Sequence, residues 1–92
     1  MSRRVAWTRA AVRDLRQLDR ALAQRVHAAL LRYAETEHGG VVRMQGIDPP
    51  QWRLKVGVYR ALFHVEAAAP DVEDQSELIV VEHVLHRREA YR

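Results

Sequence analysis

The sequence contains no cysteine, which excludes disulfide staples, thiolate metal centres and cysteine nucleophiles together. Lysine is almost missing as well: 14 of the 15 basic residues are arginine, and Lys55 is the exception. Four glycines are too few for a phosphate-cradling loop, and no serine sits in a nucleophile elbow. Charged residues interrupt every apolar stretch well short of the roughly 18 residues a membrane span needs. The opening Met-Ser-Arg-Arg runs into mixed sequence without a signal-peptide core, which predicts a cytoplasmic protein. His83 and His86, three apart on an expected strand, fall on opposite faces with no further His or Cys nearby. No metal site and no other cofactor is therefore expected.

What is present suits one domain. Ninety-two residues with 48% hydrophobic and 29% charged side chains support a single modest core over 1–92. The formal net charge of +3 hides an uneven distribution. Glu66, Asp71, Glu73, Asp74 and Glu77 form an acidic segment without a cation, leaving 15 basic residues against seven acidic ones elsewhere. Such a balance suits a polyanion or an acidic protein partner.

The hydrophobic period assigns the elements. Arg3 to Trp7 reads as a strand, and Thr8 as the N-cap of a helix over Arg9 to Leu18 with Val12, Leu15 and Leu18 on one side. Asp19 caps a second helix to about Glu37, with an apolar stripe of Leu22, Val26, Ala29, Leu30 and Tyr33. Gly39-Gly40 stops it. Val41 to Gln51, with Gly46 and Pro49-Pro50, reads as a loop. From Trp52 the period becomes two, giving strands over 52–56, 58–65 and 78–85, with Ala67 to Gln75 as a turn and a polar tail from His86. The expected class is α+β, in the order β-α-α-β-β-β, with a helical hairpin on one face of a small, mainly antiparallel sheet.

Chemistry concentrates around Trp52-Arg-Leu-Lys-Val-Gly-Val-Tyr-Arg60. Gly57-Val58 suits a two-residue type II′ turn, which pairs Val56 with Tyr59, Lys55 with Arg60, Leu54 with Ala61 and Trp52 with Phe63. Trp52 and Phe63 then share the core face. Lys55, Arg60 and Arg53 share the other, where opposed like charges are unfavourable until an anion relieves them. His64 shares that face with Arg60. A strand as apolar as Leu78 to Val81 would carry His86, Arg87 and Tyr91 to the same rim. The plain alternative is a solvated strand face and a solvated tail.

These blocks have a recognisable likeness. Trp7-Thr-x-x-Ala11-x-x-Asp14-Leu15-x-x-Leu18, Arg25-Val26 and Gly39-x-x-x-x-Met44-x-Gly46 lead to two specific stretches. These are Trp52-Arg-Leu-Lys-Val-Gly-x-Tyr-Arg60-x-Leu62-Phe63 and His86-Arg-Arg-Glu-Ala-Tyr91-Arg92. Together they resemble the RelE/ParE superfamily of toxins from bacterial type II toxin–antitoxin systems. The resemblance implies a metal-independent endoribonuclease that cuts mRNA in the ribosomal A site by 2′-OH attack on the adjacent phosphate. It further implies that Arg60 and Arg87 clamp the phosphate, Arg53 and Lys55 line the cleft, and Tyr91 stacks on a base or orients the nucleophile. Arg88 and His64 are assigned to substrate contacts. Arginine at position 53 cannot serve as a base, which leaves Lys55 or His86 as proton acceptor. The implied partners are a cognate antitoxin, mRNA and the ribosome, with operator DNA bound only as a toxin–antitoxin complex and no membrane contact. The ParE branch offers a non-enzymatic alternative, inhibition of DNA gyrase by binding. A third is an inactive relative that retains antitoxin binding.

Overall fold

In the computed structural model, which describes residues 3–67 and 76–90, both expected caps start their helices. Thr8 Oγ1 accepts the Ala11 N–H at 3.1 Å at the head of α1 (Arg9–Arg16). Asp19 Oδ1 accepts the Leu22 N–H at 2.9 Å at the head of α2 (Arg20–Thr36). Each cap satisfies a donor that the first helical turn leaves open. The helix is interrupted at Gln17-Leu18, so a helical hairpin forms rather than one long helix. The end of α2 departs from expectation. Glu37, not a glycine, adopts the left-handed conformation with φ 59° and closes the helix through Glu37 N–H to Tyr33 O at 2.8 Å.

Five strands form one sheet in the order β1-β5-β4-β3-β2. They are β1 (Arg4–Trp7), β2 (Gly40–Arg43), β3 (Trp52–Val56), β4 (Tyr59–Glu66) and β5 (Leu78–His86); a single turn, α3 (Arg87–Ala90), follows. β1 lies parallel to β5 and the other pairs are antiparallel. The element missing from the sequence reading is β2. Gly40 to Arg43 pairs with Lys55 to Trp52, where the sequence suggested only the start of a loop. The expected turn over Ala67 to Gln75 lies almost wholly outside the described residues, as do Asp71, Glu73, Asp74, Tyr91 and Arg92. Among the described residues no helix is long and apolar enough to cross a membrane.

The two long helices cover one face of the sheet. Phe63, Leu54, Ile79, Val81 and Ala61 project into this core with Val26 and Leu30 from α2 and Ala11 from α1, all essentially inaccessible to water. Phe63 sits between Trp52 (ring centroids 6.0 Å apart) and Tyr33 (5.5 Å), so the predicted Trp52–Phe63 pair is the aromatic centre of the core.

One break in alternation matters for function. Phe63 opposes Val81 but Leu62 opposes His83, so Glu82 is an extra residue, a bulge. Beyond it every side chain of β5 changes face. Val84 turns inward and His86 follows it. β1 ends at Trp7, opposite Val81, and α1 takes over along the exposed backbone of β5. Thr8 Oγ1 donates to Glu82 O at 2.9 Å, and Asp14 Oδ2 accepts the Val84 N–H at 2.8 Å and lies 3.2 Å from His83 Nδ1. Replacing Asp14 by alanine leaves the Val84 donor without its partner beside the core. Asp14→Ala is expected to lower unfolding free energy by about 1–3 kcal/mol, read from the shift in the urea midpoint.

Candidate functional site

The site begins at the β3–β4 turn. Gly57 has φ +60° while Val58 keeps a negative φ, the pattern of a type II′ turn, whose twist matches that of the strands. This turn sets the register anticipated from sequence: Val56 with Tyr59, Lys55 with Arg60, Leu54 with Ala61, Trp52 with Phe63. With Leu54 and Phe63 in the core, Arg53, Lys55 and Arg60 must lie on the face the long helices leave open. There Arg53, Lys55 and Arg60 border a hollow of about 250 Å³ that Gly39 and the β2 residues Gly40, Val41 and Val42 also line. The strand that sequence reading missed therefore supplies half of the site. Val41-Val42, β-branched and just after a glycine stop, was the available signal.

The three cations differ. Lys55 is exposed and Arg53 half-buried. Arg60 is only 7% exposed, and its Nη1 donates to Gly57 O at 2.9 Å and to Tyr59 O at 2.8 Å. Its guanidinium thus braces the turn as well as charging the hollow. Gathering three cations on one surface favours an anion there.

The structure separates the remaining candidates from this cluster. His86 pairs with Tyr59, on the face opposite Arg60, and its ring meets the Tyr59 ring edge-on at 5.7 Å. Its Nδ1 accepts the Arg88 N–H at 3.2 Å. A neutral imidazole has one acceptor nitrogen, and here the last helical turn occupies it. The expected meeting of His86 with Arg53, Lys55 and Arg60 at one rim is thus corrected: the Glu82 bulge carries the ring to the other side. Arg87 and Arg88 are exposed on α3, and the Arg87 N–H is held by Val58 O at 2.7 Å, which ties the tail to the same turn. Tyr91 lies outside the described residues.

His64 shares the open face with Arg60 but belongs to a separate, acidic group. Its Nε2 lies 2.7 Å from Glu66 Oε2 and its Nδ1 3.1 Å from Glu82 Oε2. Gln51 Nε2 donates to the same Glu82 oxygen at 2.7 Å. With carboxylates at both ring nitrogens, both want to be donors, which is the imidazolium form. The Glu66 hydrogen bond leads in raising the His64 pKa above 6.5, opposed by partial burial and assisted by Glu82. A raised folded-state pKa stabilises the protein fully below the unfolded value and ceases to do so as pH rises through the folded value. His64→Gln is therefore expected to cost more stability at about pH 5.5, above the usual carboxylate range, than at about pH 8.5. Urea titrations of both proteins at the two pH values measure the difference. Among the described residues no group of three or more His, Cys, Asp or Glu is placed to hold a metal ion.

Comparison with known proteins matches this architecture. Residues 5–91 match the family model described as ParE toxin of type II toxin-antitoxin system, parDE. A search of curated proteins returns no match. Among solved structures, the fold is similar to the archaeal RelE-RelB complex from Pyrococcus horikoshii, with TM-score 0.69 and 21% identity over 95% of this chain and 97% of that one. It is also similar to the RelB-RelE antitoxin-toxin complex from Methanococcus jannaschii, with TM-score 0.65 and 18% identity over 94% of each chain. The RelBE2 toxin-antitoxin complex from Mycobacterium tuberculosis gives TM-score 0.65 and 22% identity over 95% of this chain and all of that one. At these identities the structural matches speak for the fold, and the family match covers nearly the whole sequence. The chain belongs to the ParE toxin family of type II toxin–antitoxin systems, within the RelE/ParE superfamily.

Proposed function

We propose that this toxin is an endoribonuclease that cleaves mRNA, on the ribosome, without a metal. The observation that carries the reading is the convergence of Arg53, Lys55 and Arg60 from two strands on one hollow of about 250 Å³. In the proposed step the 2′-oxygen bonds to the adjacent phosphorus, the bond from phosphorus to the 5′-oxygen breaks, and a cyclic phosphate remains. The 2′-OH proton leaves to a base and the departing 5′-oxygen gains one. Arg53 and Arg60 stay cationic and offset the charge that builds on the phosphorane. Lys55, exposed beside them, is assigned the role of proton acceptor, which the arginines cannot fill. His86 has no part in this arrangement. Arg87 adds a cation at the end of β5, and Tyr91 is the group assigned to stacking on a base or orienting the nucleophile.

The partner that restrains the toxin is an antitoxin segment combining acidic and apolar residues. A groove of about 410 Å³ between α2 and β3 suits it, with Ala28, Ala29 and Leu54 as apolar floor and Arg25, Arg32 and Lys55 at the rim. Because Lys55 borders both groove and hollow, a carboxylate placed there would neutralise the site it inhibits.

A second reading has one observation in its favour. With His86 turned to the other face and its Nδ1 engaged, the open face reduces to a basic docking surface, as a toxin acting by binding DNA gyrase would use. Expression in cells separates the two. The nuclease reading expects new 5′ ends in cellular mRNA, and Lys55→Ala is expected to lower cleavage by about 10²–10³-fold, the scale for removing one transition-state partner, while the fold persists. Lys55 is the better probe than Arg60, whose loss also loosens the turn. Growth arrest with mRNA intact and DNA-damage signalling raised would instead establish the binding mechanism.

A further inference from the structure

Gly39 and Gly40 are adjacent but differ in what holds them as glycines. Gly39 has φ +155°, and a Cβ there would meet Leu54 Cδ1 at 2.8 Å, so its backbone and its neighbour both forbid a side chain. Gly40 is the less restricted of the two. Its φ is not positive, and a Cβ would lie 3.4 Å from Lys55 Cβ, at the close end of van der Waals contact. A glycine inside a strand sacrifices stability relative to a β-branched residue, and where the backbone does not require it, close approach of a ligand is a standing reason for it.

The position of Gly40 supplies that ligand's place. It pairs across β2–β3 with Lys55, on the open face, and lines the cationic hollow. One step along, Val42 pairs with Arg53 on the same face and is 56% exposed, one of few large apolar side chains left so open. The hollow therefore has cations on one side and, on the other, a bare backbone followed by an apolar wall. A phosphate alone needs only the cations. A planar ring needs the remainder: a flat floor, an apolar edge and a guanidinium to stack on. At about 250 Å³ the hollow offers more room than a bare phosphate fills.

We infer that the hollow holds one RNA nucleotide, its phosphate on Arg53, Lys55 and Arg60 and its base over Gly40 against Val42, and that the missing side chain at Gly40 sets which bases enter. This deepens the nuclease reading and rests on it. A carboxylate partner would use the cations but leave the glycine unexplained, which is why RNA is the occupant assigned.

The test is a calorimetric titration of the full-length protein with four oligoribonucleotide trimers differing in the middle base, each carrying a 2′-deoxy sugar there to block cleavage. Wild type is expected to bind, and to rank the four. Gly40→Val, which places a β-branched residue in a strand, is expected to melt at the same temperature or higher while binding weakens by about tenfold or more through steric exclusion. Gly40→Ala falls between, and if Gly40→Val does not fold, Gly40→Ser carries the comparison. Should Gly40→Val bind like wild type while Arg53→Ala loses binding, the base pocket is wrong and the RNA site stands. If wild type binds none of the trimers, the base pocket is overturned, while the nuclease reading, which places cleavage on the ribosome, stands or falls on the 5′ ends of cellular mRNA. Preferential binding of an oligoglutamate peptide would assign the hollow to a carboxylate partner and overturn the inference.

Discussion

Strand parity is the constraint on which the rest depends. A two-residue turn at Gly57-Val58 leaves no freedom in how β3 meets β4, and a slip of one residue would exchange the two faces of the hairpin. Trp52, Leu54 and Phe63 are apolar enough that only one parity is tolerable. Core packing therefore selects the register, and the register in turn obliges Arg53, Lys55 and Arg60 to occupy one surface. The gathering of positive charge there follows from hydrophobic burial on the reverse side. Charge convergence here is a by-product of how the core is packed, later available for binding an anion.

The second organising feature is the way β5 changes character along its length. Its first half is sandwiched between β1 and β4; its second half has lost β1 and is held by α1 instead, through Thr8 and Asp14. The Glu82 bulge sits at that transition. It satisfies three demands at once: it returns Val84 to the core, turns the Glu82 carboxylate toward His64 and Gln51, and rotates His86 out of the cationic face. The acidic group around His64 and the basic hollow consequently share one open surface, with Gln51 bonded to Glu82 two residues from Arg53.

Much of this was readable from the residues. Thr8 and Asp19 announce the helices because their side-chain oxygens cap orphan amides, a local effect needing no tertiary information. The hairpin register followed from one glycine and an alternating pattern. What escaped depended on non-local partners. Gly40 to Arg43 is too short and too exposed to declare itself a strand; it is one because β3 offers a free edge. The position of His86 escaped because strict alternation from Ile79 and Val81 puts it beside Arg60, and nothing in the local sequence marks Glu82 as the extra residue. The α2 terminus escaped because Glu37 takes a conformation usually left to glycine, held by Tyr33 O on one side, while Arg3, itself stacked at 4.7 Å over the Tyr33 ring, stands 3.8 Å from its carboxylate.

Arg60 carries two duties in one side chain, locking two turn carbonyls and electrifying the hollow. Lysine, with a single ammonium on a flexible stem, reproduces the second duty but not the geometry of the first. A change at position 60 therefore disturbs the hairpin and the charge together, whereas changes at Arg53 or Lys55 alter the charge and leave the turn braced.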